Sequence, residues 1–145
     1  MSTTTATTTT TSHPPQVHCQ MVVFLRHGVA QHNYRGADLT SPTLFDPSLT
    51  FQGKLGAVQA GEKIKAWLLL NRQSTTSEAS SSSSLDLIVC SPLTRTLQTA
   101  TLAFSRGEDY GNDRPVPVVC VENVREAFGM HYPDKRRERS LLVVG

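Results

Sequence analysis

Residues 85–100 read "LDLIVCSPLTRTLQTA", a mostly apolar run followed at once by serine, proline and a helix-forming segment. A run this apolar suits a strand covered on both faces, as in a parallel sheet. Ser91 could cap a helix, and Pro92 at the first helical position would sacrifice no hydrogen bond. The stretch therefore predicts a strand that turns directly into a helix.

Two similar runs bracket it. "CQMVVFL" at 19–25 is apolar up to Arg26-His27-Gly28, and "VPVVCV" at 116–121 contains Pro117, which points to an edge or a strand start. Between the first two, from Thr50 to about Leu70, Leu55, Val58, Ile64, Trp67 and Leu68 recur at three- and four-residue steps, with Lys54, Glu62, Lys63 and Lys65 between them. Thr50 is the expected N-cap. Strand, helix, strand, helix, strand is the order of an α/β domain: three α/β/α layers around a mostly parallel, doubly wound sheet. Crossovers in such a sheet are right-handed, and ligands bind at the carboxyl ends of its strands. Arg26, His27, Ser91 and Glu126 all fall just beyond such ends.

The bulk numbers fit one domain. The chain has 145 residues, and its 38% hydrophobic share is low for a reason that is local. Residues 1–19 and about 73–84 are dominated by Thr, Ser and Pro and cannot bury enough apolar surface to offset ordering, so a disordered tail and a disordered loop are expected there. The domain is expected over 20–145, with a folding part of roughly 110 residues. A net charge of +2 is too slight to imply nucleic acid, and no apolar run is long enough for a membrane span. The tail carries no targeting pattern. Three widely spaced cysteines, Cys19, Cys90 and Cys120, read as buried thiols of a reducing, cytoplasmic compartment.

Two short segments carry chemistry. In "LRHG" a histidine follows an arginine at a strand end, and the glycine lets backbone come close to a ligand. That arrangement suits an anion held by guanidinium and backbone N–H while an imidazole attacks it. In "SPLTRTLQTA", Arg95 lies one turn into a helix whose N-terminus is itself electropositive. Either segment alone has an ordinary structural explanation; at one sheet edge they point to a shared anion site.

"LRHG", then "DPSLTFQGKLGAVQAG", then "VCSPLTRTLQTA" together resemble the histidine phosphatase superfamily, in its phosphoglycerate mutase-like branch. The resemblance runs from about Met21 to Arg139. It implies that His27 is the nucleophile that becomes phosphohistidine, that Arg26 and Arg95 clamp the phosphoryl oxygens, that Asn33 touches the phosphate and that Glu126 protonates the leaving oxygen. It implies a small phosphorylated substrate and neither metal nor cofactor, since the arginines provide the positive charge. The stretch "ENVREAFGMHYPDKRR" resembles mutase-like proteins mostly regarded as phosphatases. The expected activity is thus a phosphatase acting on small phosphate esters. The alternatives are a phosphoglycerate mutase and a non-catalytic phosphate-binding or interaction protein.

His32 is expected as a loop or lid residue, and His131, Tyr132 and the run "DKRRER" at 134–139 as surface features. His13, His18 and Cys19 have no zinc-like spacing. The resemblance also implies a second histidine in a Gly-His motif after a later strand, and "RSLLVVG" carries none. The sheet is therefore expected to be incomplete at the C-terminus, the chain to be an N-terminal part of a longer domain, and its stability to be marginal without a partner.

Overall fold

A computed structural model describes residues 21–73, 84–104, 115–126 and 129–138. The tail expected at 1–19, and all but the two ends of the loop expected at 73–84, lie outside them.

Helix α1 spans Phe51–Gln73. It starts where expected, because Thr50 Oγ1 accepts the Gly53 N–H at 3.0 Å and the Thr50 carbonyl accepts the Lys54 N–H at 2.9 Å. Its packed face is the expected one at Ile64 and Leu68 but not nearer its start. Gly53, Ala57, Gly61 and Leu68 are buried, whereas Leu55, Val58 and Trp67 are 50%, 41% and 40% exposed. Small residues at four-residue steps let neighbouring backbone come into contact, and that closeness decides the orientation of α1. A Cβ on Gly61 would run into the Ala103 carbonyl of helix α2, Thr94–Phe104, and one on Gly53 would strike the Val29 carbonyl.

Helix α2 begins two residues later than a Ser91 cap with Pro92 at the first helical position predicts. Ser91 Oγ accepts only the Leu93 N–H, at 3.4 Å, and the helical hydrogen bonds begin at the Leu93 carbonyl. The cap comes from elsewhere in the chain. The Asp46 carboxylate accepts the Thr94 N–H at 2.8 Å and the Thr94 hydroxyl at 2.7 Å. A negative group at a helix N-terminus complements the helix dipole, which helps Asp46 to be wholly buried.

Among the described residues the sheet consists of two parallel strands, β1 at Ile88–Cys90 and β2 at Val118–Cys120, in the register Ile88–Val118, Val89–Val119 and Cys90–Cys120. The Pro117 carbonyl accepts the Ile88 N–H at 2.9 Å, so the proline sits where β2 starts. Ile88 and Cys90 pack with Leu68 of α1, Ala100 of α2 and Val116. Val89 and Val119, on the opposite face, are 50% and 45% exposed. The protein is α/β with a parallel sheet, but among the described residues both helices cover one face and the third layer is not formed.

Residues 21–25 correct a second expectation, since they form no strand. Val22 is 71% and Phe24 93% exposed. A strand of a doubly wound sheet draws its stability from neighbouring ladders and from cover on both faces. Residues 21–23 instead share a groove with Lys63, Ile64 and Trp67 of α1. Regular pairing resumes only at the antiparallel bridge between Ala30 and Leu49, whose side chains form a small second core with Ala57 and Leu102. No helix among the described residues is long and apolar enough to cross a membrane.

Candidate active site

His27 lies where the unpaired segment turns toward α2. The next residue fixes the turn, with the Gly28 N–H donating to Thr99 Oγ1 at 3.0 Å and the Thr99 hydroxyl donating to the Arg95 carbonyl at 2.7 Å. Thr99 is one turn beyond Arg95 on α2, so one hydroxyl ties the backbone beside His27 to the turn that carries Arg95. Gly53 presses from the other side, and a Cβ on Gly28 would meet its carbonyl. Glycine is needed at both positions for this close approach.

Arg26, His27, Ser91, Arg95, Thr96 and Glu126 line one cleft of about 260 Å³. That volume is just below the 300–1,000 Å³ of common small-molecule sites, enough for a phosphoryl group and a short substituent. Four of the five expected site residues thus come together: Arg26, His27, Arg95 and Glu126. Asn33 is the exception. Its Oδ1 accepts the Ala30 N–H at 2.8 Å, its Nδ2 donates to His32 Nε2 at 3.2 Å, and it does not line the cleft.

His27 Nδ1–H donates to the Gly28 carbonyl at 2.7 Å, which places the proton on Nδ1 and leaves the Nε2 lone pair available. Burial holds this imidazole below its ordinary pKa of 6.5. The charges of Arg95 and Arg26 push the same way, while the Gly28 carbonyl and Glu126 oppose them. His27 is therefore neutral near pH 7, the form in which imidazole is a nucleophile.

Arg95 is wholly buried. Its Nη1 donates to the Pro133 carbonyl at 2.6 Å, and its Nη2 to Glu126 Oε2 at 2.9 Å and Asp134 Oδ1 at 3.2 Å. Its Nε has no hydrogen-bond partner among the described residues. A buried donor without a partner costs on the order of 1–3 kcal/mol, so this N–H is a standing reason to take up an acceptor.

Sequence reading missed two participants. His32 was expected in a loop or lid, yet its ring centroid lies 5.8 Å from that of His27. Its Nδ1 is buried without a hydrogen-bond partner among the described residues, and burial, aided by Arg95 and His27, lowers its pKa. The signal was "HN": the Asn33 amide holds the ring through Nε2. Asp134 sat in a charge run that reads as a solvated face. The run is in fact partnered, with Arg136 Nε 2.8 Å from Glu122 Oε1, Arg137 Nε 3.7 Å from Asp46 Oδ2, and Lys135 Nζ 3.8 Å from the centre of the Tyr132 ring. His131 is exposed and does not line the cleft.

The chain is similar to a phosphoglycerate mutase-like protein. That relative, from Arabidopsis thaliana, is 28% identical over 148 residues, covering 85% of this chain. The chain spans 50% of the relative's length. No family model and no solved structure matches. The similarity supports the phosphoglycerate mutase-like family in general, and the parallel α/β arrangement is consistent with that fold.

Proposed function

We propose that the cleft binds a small phosphate monoester and transfers its phosphoryl group to His27. The observation that carries this reading is the meeting of a neutral His27, its Nδ1 proton pinned, with a wholly buried Arg95 whose Nε still needs an acceptor. Arg95 and Arg26 hold the phosphoryl oxygens, as planar guanidinium forks do well. His27 Nε2 attacks phosphorus, Glu126 gives a proton to the leaving oxygen, and water then hydrolyses the phosphohistidine. Asn33 serves this reading through the loop that it fixes.

Hydrolysis, in preference to mutase action, is supported by the likeness of residues 122–137 to phosphatase-like relatives. A bisphosphoglycerate that primes His27 and raises turnover would favour the mutase. The test of catalysis is hydrolysis of p-nitrophenyl phosphate beside a His27→Ala control, with acid-labile phosphate trapped on the protein. Equal rates in the two proteins exclude catalysis by His27.

A binding role is the second reading. Arg95 already holds two carboxylates, Glu126 and Asp134, which an incoming phosphate must displace. Saturable binding of inorganic phosphate without turnover would support this role.

A further inference from the structure

Cys90 and Cys120 stand opposite each other in the parallel ladder, with their sulfurs 3.6 Å apart. Neighbouring strands lie about 4.8 Å apart, inside the Cα separation of about 4.4–6.8 Å that a disulfide tolerates. Being in register, the two side chains leave the sheet on the same face. Closing the gap to a bonded distance of about 2.05 Å calls for side-chain rotation at the two cysteines, with little backbone travel.

The two thiols differ in the way that such a reaction needs. Cys120 is exposed and Cys90 is buried. Burial, together with the Cys120 sulfur beside it, pushes the Cys90 thiol up to about 12 and keeps it protonated. The buried thiol is therefore a poor first nucleophile, and the exposed one is within reach of an oxidant.

We propose that Cys90 and Cys120 are a modification site at which a peroxide closes a disulfide between β1 and β2. In the first step the Cys120 thiolate attacks a peroxide oxygen, the O–O bond breaks, and sulfenic acid and water form. In the second the Cys90 sulfur attacks the Cys120 sulfur, the S–O bond breaks, and the hydroxyl leaves with the Cys90 proton as water. Two thiols lose two electrons and two protons, and hydrogen peroxide is reduced to two waters. The bond would tie the strand that leads to Arg95 to the strand that leads to Glu126. This inference does not depend on the proposed phosphoryl transfer.

The test treats the whole chain with hydrogen peroxide and maps its disulfides after trypsin without reduction. The expected product joins the peptide of residues 73–95 to that of residues 107–125, leaves one of the three thiols free, and is reversed by dithiothreitol. Cys120→Ser should abolish the cross-link and leave Cys90 unoxidised. Cys19→Ser should leave the cross-link intact. The proposal is overturned if wild-type Cys120 ends as sulfinic acid with Cys90 still a thiol, or if either cysteine pairs with the peptide of residues 1–26.

Discussion

The buried guanidinium of Arg95 donates to the carboxylate of Glu126 at 2.9 Å, although the Glu126 side chain is 60% exposed. One partner is fixed by the protein and the other is free to leave. A phosphate dianion arriving at Arg95 must displace or repel this carboxylate and Asp134. Glu126→Gln should bind inorganic phosphate more tightly while losing turnover. Removing a unit charge at about 4 Å in water-like surroundings is worth about 1 kcal/mol, or about fivefold in affinity. Titration calorimetry with inorganic phosphate reads the affinity and p-nitrophenyl phosphate hydrolysis the turnover; weaker phosphate binding by the glutamine variant would contradict the prediction.

Asp46 should matter more to stability than any other acidic residue described. Asp46→Ala leaves the Thr94 N–H and hydroxyl without their acceptor and removes an ion partner from Arg137. Loss of a cap and an orphaned polar group should together cost about 2–4 kcal/mol. Asp46→Asn, which keeps one acceptor, should cost less. Urea midpoints of the three proteins give the ranking.

Two glycines of α1, three residues apart, make opposite predictions. Gly53→Ala drives a methyl group into the Val29 carbonyl and should destabilise by about 1–3 kcal/mol. Gly56→Ala meets nothing within 4 Å in the same helix and should stabilise by about 0.5–1 kcal/mol. Thermal unfolding of both variants against the parent checks the sign of each.

Stability should fall as pH drops below about 6.5. His27 and His32 both have folded pKa values below the unfolded one of 6.5. On acidification the unfolded chain takes up these protons first, so the stability present above pH 6.5 is lost as pH falls toward the folded values. For each ring burial is the main cause and Arg95 adds to it, while Glu126 opposes it at both and Asp134 at His32. Unfolding free energies between pH 5 and 8 should lose part of this slope in His27→Gln and more in the double variant with His32→Gln. An unchanged slope in the double variant would assign it to other groups.

Much of the secondary structure was legible because its causes are local. Thr50 caps α1 through a hydrogen bond spanning three residues, and Pro117 marks the start of β2 because proline cannot donate to a ladder. The start of α2 was misplaced because its cap, Asp46, is 48 residues away from Thr94. Ile64 and Leu68 were legible in the packed face of α1, whereas Gly53, Ala57 and Gly61 were not, because apolar periodicity rewards large side chains and close backbone contact selects glycine and alanine.

The amino-acid sequence on its own determined that this is a parallel α/β protein, with Arg26, His27, Arg95 and Glu126 placed after apolar runs where a sheet presents ligands. Tertiary structure alone decided that residues 21–25 stay out of the ladder, that both helices cover one sheet face, that Asp134 joins Glu126 on Arg95, and that His32 stands beside His27. Period and capping are fixed by neighbours a few residues apart. Which distant groups share a buried donor is fixed only when the packed chain withholds water from it and leaves other side chains to satisfy it.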